Sequence, residues 1–346
     1  MSKQEKPAGR RLPAEWEPQS AVQLTLPHAG TDWADVLEEV MPCFHAVARE
    51  VAKRQVLVLV SSDWSYHQPM FADLPKEKVR WIELPSNDTW ARDHGGIVVE
   101  YNGSFEVLDF QFNGWGLKFP ADRDNLITSG MWEAGLFKAQ KKIWPGMILE
   151  GGGIESDGKG TILTTEACLL SPNRNPQWTK KQIEKQLHKW LGAKRVLWLA
   201  HGHLEGDDTD SHIDTLARLC DEHTIAYVRC DRPEDPHYEA LKAMETELKQ
   251  MKTAAGKPYQ LVPLPWPDAC FAPDGHRLPA TYANFLIING AVLVPVYGLP
   301  QDEAALSAIQ QCFIGREIVG INCLPLILQH GSLHCVTMQY PAGVIS

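Results

Sequence analysis

The chain is expected to fold as an α/β protein made of about five strand–loop–strand–helix units. Three observations predict this. Six short apolar runs recur at intervals of about 50 to 70 residues, amphipathic stretches lie between them, and no Ser/Gly linker or composition break divides the chain.

The runs are Val22–Leu26, Val79–Leu84, Met147–Leu149, Arg195–Leu199, Tyr259–Leu264 and Glu317–Ile321. The first five each lead into a loop rich in Gly, Asp or Pro, and further strands such as Phe285–Ile288 follow. With six runs and about five units, the first and last runs are expected to share a unit. Residues 31–52 place Trp33, Val36, Leu37, Val40, Phe44 and Val47 on one helical stripe, with Thr31 or Asp32 as its cap. Pro42 sits inside that stripe and is expected to kink or divide the helix, because it removes one backbone donor. Helices are also predicted over about 176–191, 235–252 and 302–313, the first opened by Asn175-Pro176 and the second by Asp235-Pro236. Periodicity leaves the spatial order of the units open.

The 346 residues suffice for two average domains or one large one, and 44% apolar content with twelve Trp supports a substantial core. Disordered, collagen-like and low-complexity chains are excluded. With 33 Lys+Arg against 43 Asp+Glu the net charge is −10, so neither nucleic acid nor an anionic membrane is an expected partner, and a cationic small molecule suits the field better. The opening MSKQEKPAGRRL holds no apolar leader, and no stretch approaches about 18 uninterrupted apolar residues. Eight singly scattered cysteines form no C-x-x-C pair, which fits reduced, buried thiols and a cytoplasmic location. The sequons at Asn87 and Asn102 are then expected to carry no glycan.

Candidate chemistry gathers in the loops. Asp207-Asp-Thr-Asp-Ser-His-Ile-Asp214 is densest, and if extended it projects Asp208, Asp210, His212 and Asp214 to one side. A solvated acidic loop is the plain reading. The histidine adds another, a proton shuttle whose pKa a neighbouring carboxylate raises. A metal site is a third, although the loop has neither an H-x-x-x-H pair nor the spacing of an EF-hand. In Asn87-Asp-Thr-Trp-Ala-Arg-Asp93, the carboxylates either satisfy Arg92 and a turn or face a ligand. Leu149-Glu-Gly-Gly-Gly153 is either a turn or a close backbone approach. Asp157-Gly-Lys-Gly-Thr161 does not match a phosphate loop. In His330-Gly-Ser-Leu-His-Cys335, the glycine and two histidines make Cys335 the least inert-looking cysteine.

Together these residues resemble the agmatine deiminases of the guanidine-group modifying superfamily. The strings are NDTWARD from Asn87, FNGWGLK from Phe112, LEGGG from Leu149, ILTTEACLL from Ile162, SPNRNP from Ser171 and DTDSHID from Asp208, ending in His334-Cys335. The resemblance spans about 16–341 in the right order and implies one catalytic domain over 1–346, built as a five-bladed, pseudo-fivefold α/β propeller. It implies Cys335 as nucleophile, His212 as general acid/base, Asp93 and Asp214 on the guanidinium, Glu150 supporting His212 or the substrate, and Trp90 lining the pocket. Gln329-His-Gly-Ser-Leu333 departs from the glycine-rich lead-in usual before that cysteine.

The implied reaction needs no metal or organic cofactor. Paired carboxylates orient a planar cation, a thiolate attacks its carbon, and the imidazole protonates the departing ammonia. Asp88, Asp207, Asp208 and Asp210 supply surplus negative charge, which favours dicationic agmatine over arginine, with Trp90 or Trp115 covering its methylenes. Peptidylarginine or another guanidine is the alternative substrate, and a metal-dependent amidohydrolase a more distant one. Family analogy implies a homodimer or larger assembly.

Overall fold

Among the described residues five sheets repeat one pairing pattern, an antiparallel pair extended by a parallel strand, and in four of them that pair is a hairpin. The computed structural model describes residues 9–345, so the expectations for residues 1–8 and 346 lie outside it. In chain order, Ile97–Tyr101 and Ser104–Leu108 are extended by Lys141–Ile143, with Arg10–Arg11 on the far edge. Ile154–Ser156 and Thr161–Thr165 are extended by Arg195–Leu199, and Ala217–Leu219 and Thr224–Val228 by Gln260–Leu264. Leu286–Ile288 and Ala291–Val296 are extended by Glu317–Asn322. In the fifth sheet the C-terminal strand Thr337–Pro341 pairs with Gln19–Thr25, which continues in parallel to Val56–Ser61 and Val79–Glu83. A short ribbon, Cys270–Phe271 with Arg277–Leu278, stands apart.

Local chemistry explains the joints. Asn102 and Gly103, at φ 49° and 80°, turn the first hairpin with the left-handed pair that matches strand twist. Helix Lys180–Leu191 opens on a reciprocal Thr179–Gln182 capping box and stops at Gly192, φ 71°. A Cβ there would lie 1.8 Å from the Arg10 carbonyl, so only glycine admits the edge strand.

The alternation of strand and helix is as expected, with four differences. The first and last runs do not share a sheet, because the partner of Gln19–Thr25 is the strand after Cys335. Met147–Leu149 is too short to make a ladder and forms a single bridge, Ile148 to Gln111. Pro42 neither divides nor ends helix Leu37–Ala52, which its packing carries through: Val40, Phe44, Val47 and Val51 are buried on one face. The other helices begin later than their Asn-Pro and Asp-Pro openings suggest, at Lys180 and Tyr238. All eight cysteines are free, and only Cys312 is not fully buried. Among the described residues no helix is long and apolar enough to cross a membrane.

Leu24 lies on an interior strand and is fully buried. Leu24→Ala is expected to lower unfolding free energy by about 3 kcal/mol in urea titration, the usual cost of a core leucine cavity. Ile314→Ala, at a side chain 92% exposed, is expected to change it by less than about 0.5 kcal/mol.

Candidate active site

Four segments bring their motifs to one buried point. Asp93 lies on the single helical turn Ala91–His94, whose Arg92 N–H donates to the Cys335 carbonyl at 3.1 Å. Glu150 precedes the turn Gly151–Gly153, and His212 opens the turn Ile213–Thr215. Cys335 stands just ahead of the C-terminal strand.

Gly152 is the hub of this convergence. A Cβ there would fall 2.6 Å from His212 Nδ1, 2.8 Å from Asp93 Oδ1 and 3.2 Å from Asp214 Oδ2. Its N–H donates to Asp93 Oδ1 at 3.1 Å, and Trp115 Nε1 donates to Asp93 Oδ2 at 3.0 Å. His212 Nδ1 lies 3.6 Å from Asp93 Oδ1, but neither ring nitrogen makes a hydrogen bond among the described residues. Asp214 Oδ2 accepts from His334 Nδ1 at 2.7 Å, whereas its Oδ1 is buried with no partner among the described residues. Orphaned buried acceptors are costly, about 1–3 kcal/mol each, which suits a ligand that donates N–H.

Charge in this centre is strongly displaced. Burial pushes Asp93 up to about 6, despite the opposing His212. Burial works against a charged His212, but Asp93, Cys168 and Glu150 outweigh it and raise the imidazole to about 10. Burial and then repulsion from Asp214 and Asp93 push the Cys335 thiol well above its ordinary 9.0. Asn284 Oδ1 accepts from its Sγ at 3.4 Å. Without a cation beside it, Cys335 is therefore driven toward the thiol rather than the thiolate.

A cavity of about 110 Å³ opens onto Cys335 and Asp93, walled by Trp90 and Trp115, with Asp88 and Asp208 also lining it. Asp32, Phe119 and His330 complete much of the wall. Trp90 packs so closely on Gly331 that a Cβ there would lie 2.1 Å from its ring. Trp115 rides on a left-handed turn, Gly114–Leu117, with φ from 54° to 87°. Such backbone costs about 1 kcal/mol or more at each non-glycine residue, and here it aims an indole at Asp93. Lys118 fastens the turn by donating to the Asp208 carbonyl at 2.6 Å and to Asp210 Oδ1 at 2.7 Å.

Several expected placements change. The segment 207–214 is not extended: Asp210 and Ser211 are left-handed at φ 64° and 65°, so its acidic side chains separate. Asp207 accepts from Thr209 and Ser211 and builds the turn, and Asp210 is neutralised by Lys118 and Arg174. Only Asp208 of that segment's carboxylates lines the cavity, while His212 and Asp214 are fully buried behind it. Asp88 is not free surplus charge. Its oxygens accept from Trp33 Nε1 and Trp90 Nε1, both at 2.8 Å, and burial raises it to about 6. Glu150 does not reach the cavity, because Arg174 Nε spans both its oxygens at 2.8 and 3.0 Å. Donor atoms of Glu150, Cys168 and His212 lie within 4.8 Å of one another, a set that zinc accepts, but Arg174 already neutralises the carboxylate there.

Sequence reading missed Glu15, Asn284 and Cys168. In the sequence His334 stands out only as a neighbour of Cys335. Asn284, a polar residue opening the apolar run Phe285–Ile288, was a detectable signal; Glu15 carried none.

Residues 11–341 match the model of the Porphyromonas-type peptidyl-arginine deiminase family. The agmatine deiminase of Pseudomonas syringae pv. tomato is 32% identical, over 96% of each chain. A candidate arginine deiminase from Porphyromonas gingivalis superposes with TM-score 0.92 at 52% identity, covering 97% of this chain and all of the other. The C. jejuni agmatine deiminase with substrate bound superposes with TM-score 0.89 at 37% identity, over 96% of each chain.

Gly152→Ala is expected to keep the fold but displace the His212 ring, read as shifted imidazole resonances and at least about a hundredfold loss of turnover. Unchanged resonances and rate would show that Gly152 is not the hub.

Proposed function

The chain belongs to the Porphyromonas-type peptidyl-arginine deiminase family, and we propose on that premise that it hydrolyses agmatine to N-carbamoylputrescine and ammonia. One observation carries the reading: the Cys335 thiol and Asp93 line one small cavity, and buried behind it stand His212, raised to about 10 by its neighbours, and Asp214, whose Oδ1 has no partner among the described residues.

The guanidinium enters with its N–H groups toward Asp93 and Asp214 Oδ1. Its positive charge offsets the repulsion that keeps Cys335 protonated, and the thiol loses its proton to solvent. The thiolate then bonds to the guanidinium carbon. The C–N bond breaks as His212 gives its proton to the departing ammonia, leaving an amidino-thioether. His212, now neutral, takes a proton from water as the oxygen attacks the same carbon. Collapse breaks the C–S bond and returns the thiolate, and the hydroxyl proton passes to solvent as the neutral ureido product leaves. Glu150, held by Arg174, stands near His212, and its attraction favours the imidazolium.

The tail of the cavity supports a cationic substrate end. Asp208 and Asp32 line it beside Asp88, and no lysine or arginine does among the described residues, since Lys118 and Arg174 are engaged elsewhere. A free α-carboxylate would meet no cation there, which favours agmatine over arginine. Trp90 and Trp115 form the walls along the methylene chain. The same reading extends to a single catalytic domain over about 16–341, with the five like-patterned sheets arranged as propeller blades, working as a cytoplasmic homo-oligomer in polyamine metabolism.

Ammonia and ureido product are expected from agmatine, with little from free arginine or a peptidyl-arginine and none in Cys335→Ala. Activity that survives in Cys335→Ala and is lost to a chelator would instead identify a metal-dependent amidohydrolase. The kcat/KM for agmatine is expected to rise through about pH 6, where Asp93 ionises, and to fall near pH 10, where His212 loses the proton it must donate. A pH profile lacking both limbs would contradict these roles.

A further inference from the structure

Behind the site, a second cavity of about 70 Å³ is walled by the N-terminal segment Leu12–Gln19, with Arg92 and His334 on its inner side. That segment carries Glu15, buried far in sequence from any motif residue. Its Oε2 lies 2.8 Å from His334 Nε2, and the other ring nitrogen of His334 lies 2.7 Å from Asp214 Oδ2. Resting on the function proposed above, we infer that Glu15 and His334 are positioning residues that hold Asp214 with its Oδ1 turned to the substrate guanidinium.

The arrangement has one rigid end. Arg218 Nη2 donates to Glu15 Oε2 at 2.7 Å while its Nε donates to Glu155 Oε1 at 2.6 Å, and the Ile287 N–H donates to Glu15 Oε1 at 2.7 Å. Glu15 thus has both oxygens occupied and cannot swing. His334 is fixed from above as well, its N–H donating to Asn284 Oδ1 at 2.9 Å. An imidazole pinned between two carboxylates leaves Asp214 one fixed orientation, with Oδ2 occupied and Oδ1 free. Burial alone would raise the Asp214 carboxyl, but the His334 hydrogen bond and charge hold it below its usual range, so the oxygen offered to the cation is anionic. Glu15 touches neither substrate nor reacting atoms. It acts through His334, which makes the N-terminal segment part of the site's construction.

The test measures agmatine dissociation constants by calorimetry in the Cys335→Ala background, where no turnover occurs. Adding Glu15→Gln is expected to weaken agmatine about tenfold, while butane-1,4-diamine, which lacks the guanidinium, changes less than about twofold. In a background that also carries Asp214→Asn, Glu15→Gln is expected to add almost nothing, because the two act through one oxygen. Glu15→Asp is expected to recover part of the affinity, and Glu222→Gln, whose partner is the surface residue Lys159, to leave it unchanged. Unaltered agmatine affinity in Glu15→Gln, equal weakening of the diamine, or a full effect that persists beside Asp214→Asn would each overturn the inference. If Glu15→Gln does not fold, Glu15→Asp alone decides: a smaller weakening that disappears beside Asp214→Asn supports it, and wild-type affinity overturns it. A separate ammonia assay of the wild-type protein distinguishes failure of this inference from failure of the function it rests on.

Discussion

Negative charge buried beside a neutral thiol is the condition on which the rest of the site depends. Asp93 and Asp214 share a water-poor centre with Cys335, and each makes ionisation of the others harder. The protein compensates from behind, through His212 on one side and His334 on the other. Compensation stops short at Asp214 Oδ1. A planar cation completes the balance and, on the proposed mechanism, also makes the nucleophile. Reactivity is then confined to the moment when substrate is present, which protects a buried thiol from adventitious electrophiles.

The fold serves this condition by bringing distant segments within one side-chain length. The turns that carry Asp93 and His212 meet at Gly152, and the C-terminal strand, pairing with Gln19–Thr25, delivers Cys335 beside the turn that carries Asp93. Glycines mark where backbone and side chain must nearly touch: Gly152 under the imidazole and both carboxylates, Gly331 under Trp90. The left-handed turn under Trp115 is the clearest case of local strain retained for geometry.

Much of this was legible in the sequence. Alternating runs and helical stripes point to the α/β class, and the motif strings single out Asp93, His212 and Asp214, which surround Gly152, and Cys335, which lines the same cavity as Asp93. What was not legible depended on pairing at a distance. Met147–Leu149 has the composition of a strand but no long partner, and the first run joins the C-terminal strand across more than 300 residues. The acidic segment 207–214 misled because two left-handed residues, Asp210 and Ser211, break the alternation that an extended reading assumes. Asp88 reads as spare charge in the sequence, but two indoles donate to it. Glu15 sits in an unremarkable N-terminal stretch, and only the fold sets it against Arg218 and His334.

On the proposed mechanism Cys335 is a thiol in the free protein and a thiolate only beneath a bound cation. Thiolate absorbance near 240 nm, taken as the difference between wild type and Cys335→Ala, reads this directly when titrated with and without a guanidinium ligand that is not turned over. No Cys335 thiolate is expected below about pH 9 in the free protein, and one is expected near neutral pH once the ligand binds. A thiolate already present at neutral pH without ligand would contradict it.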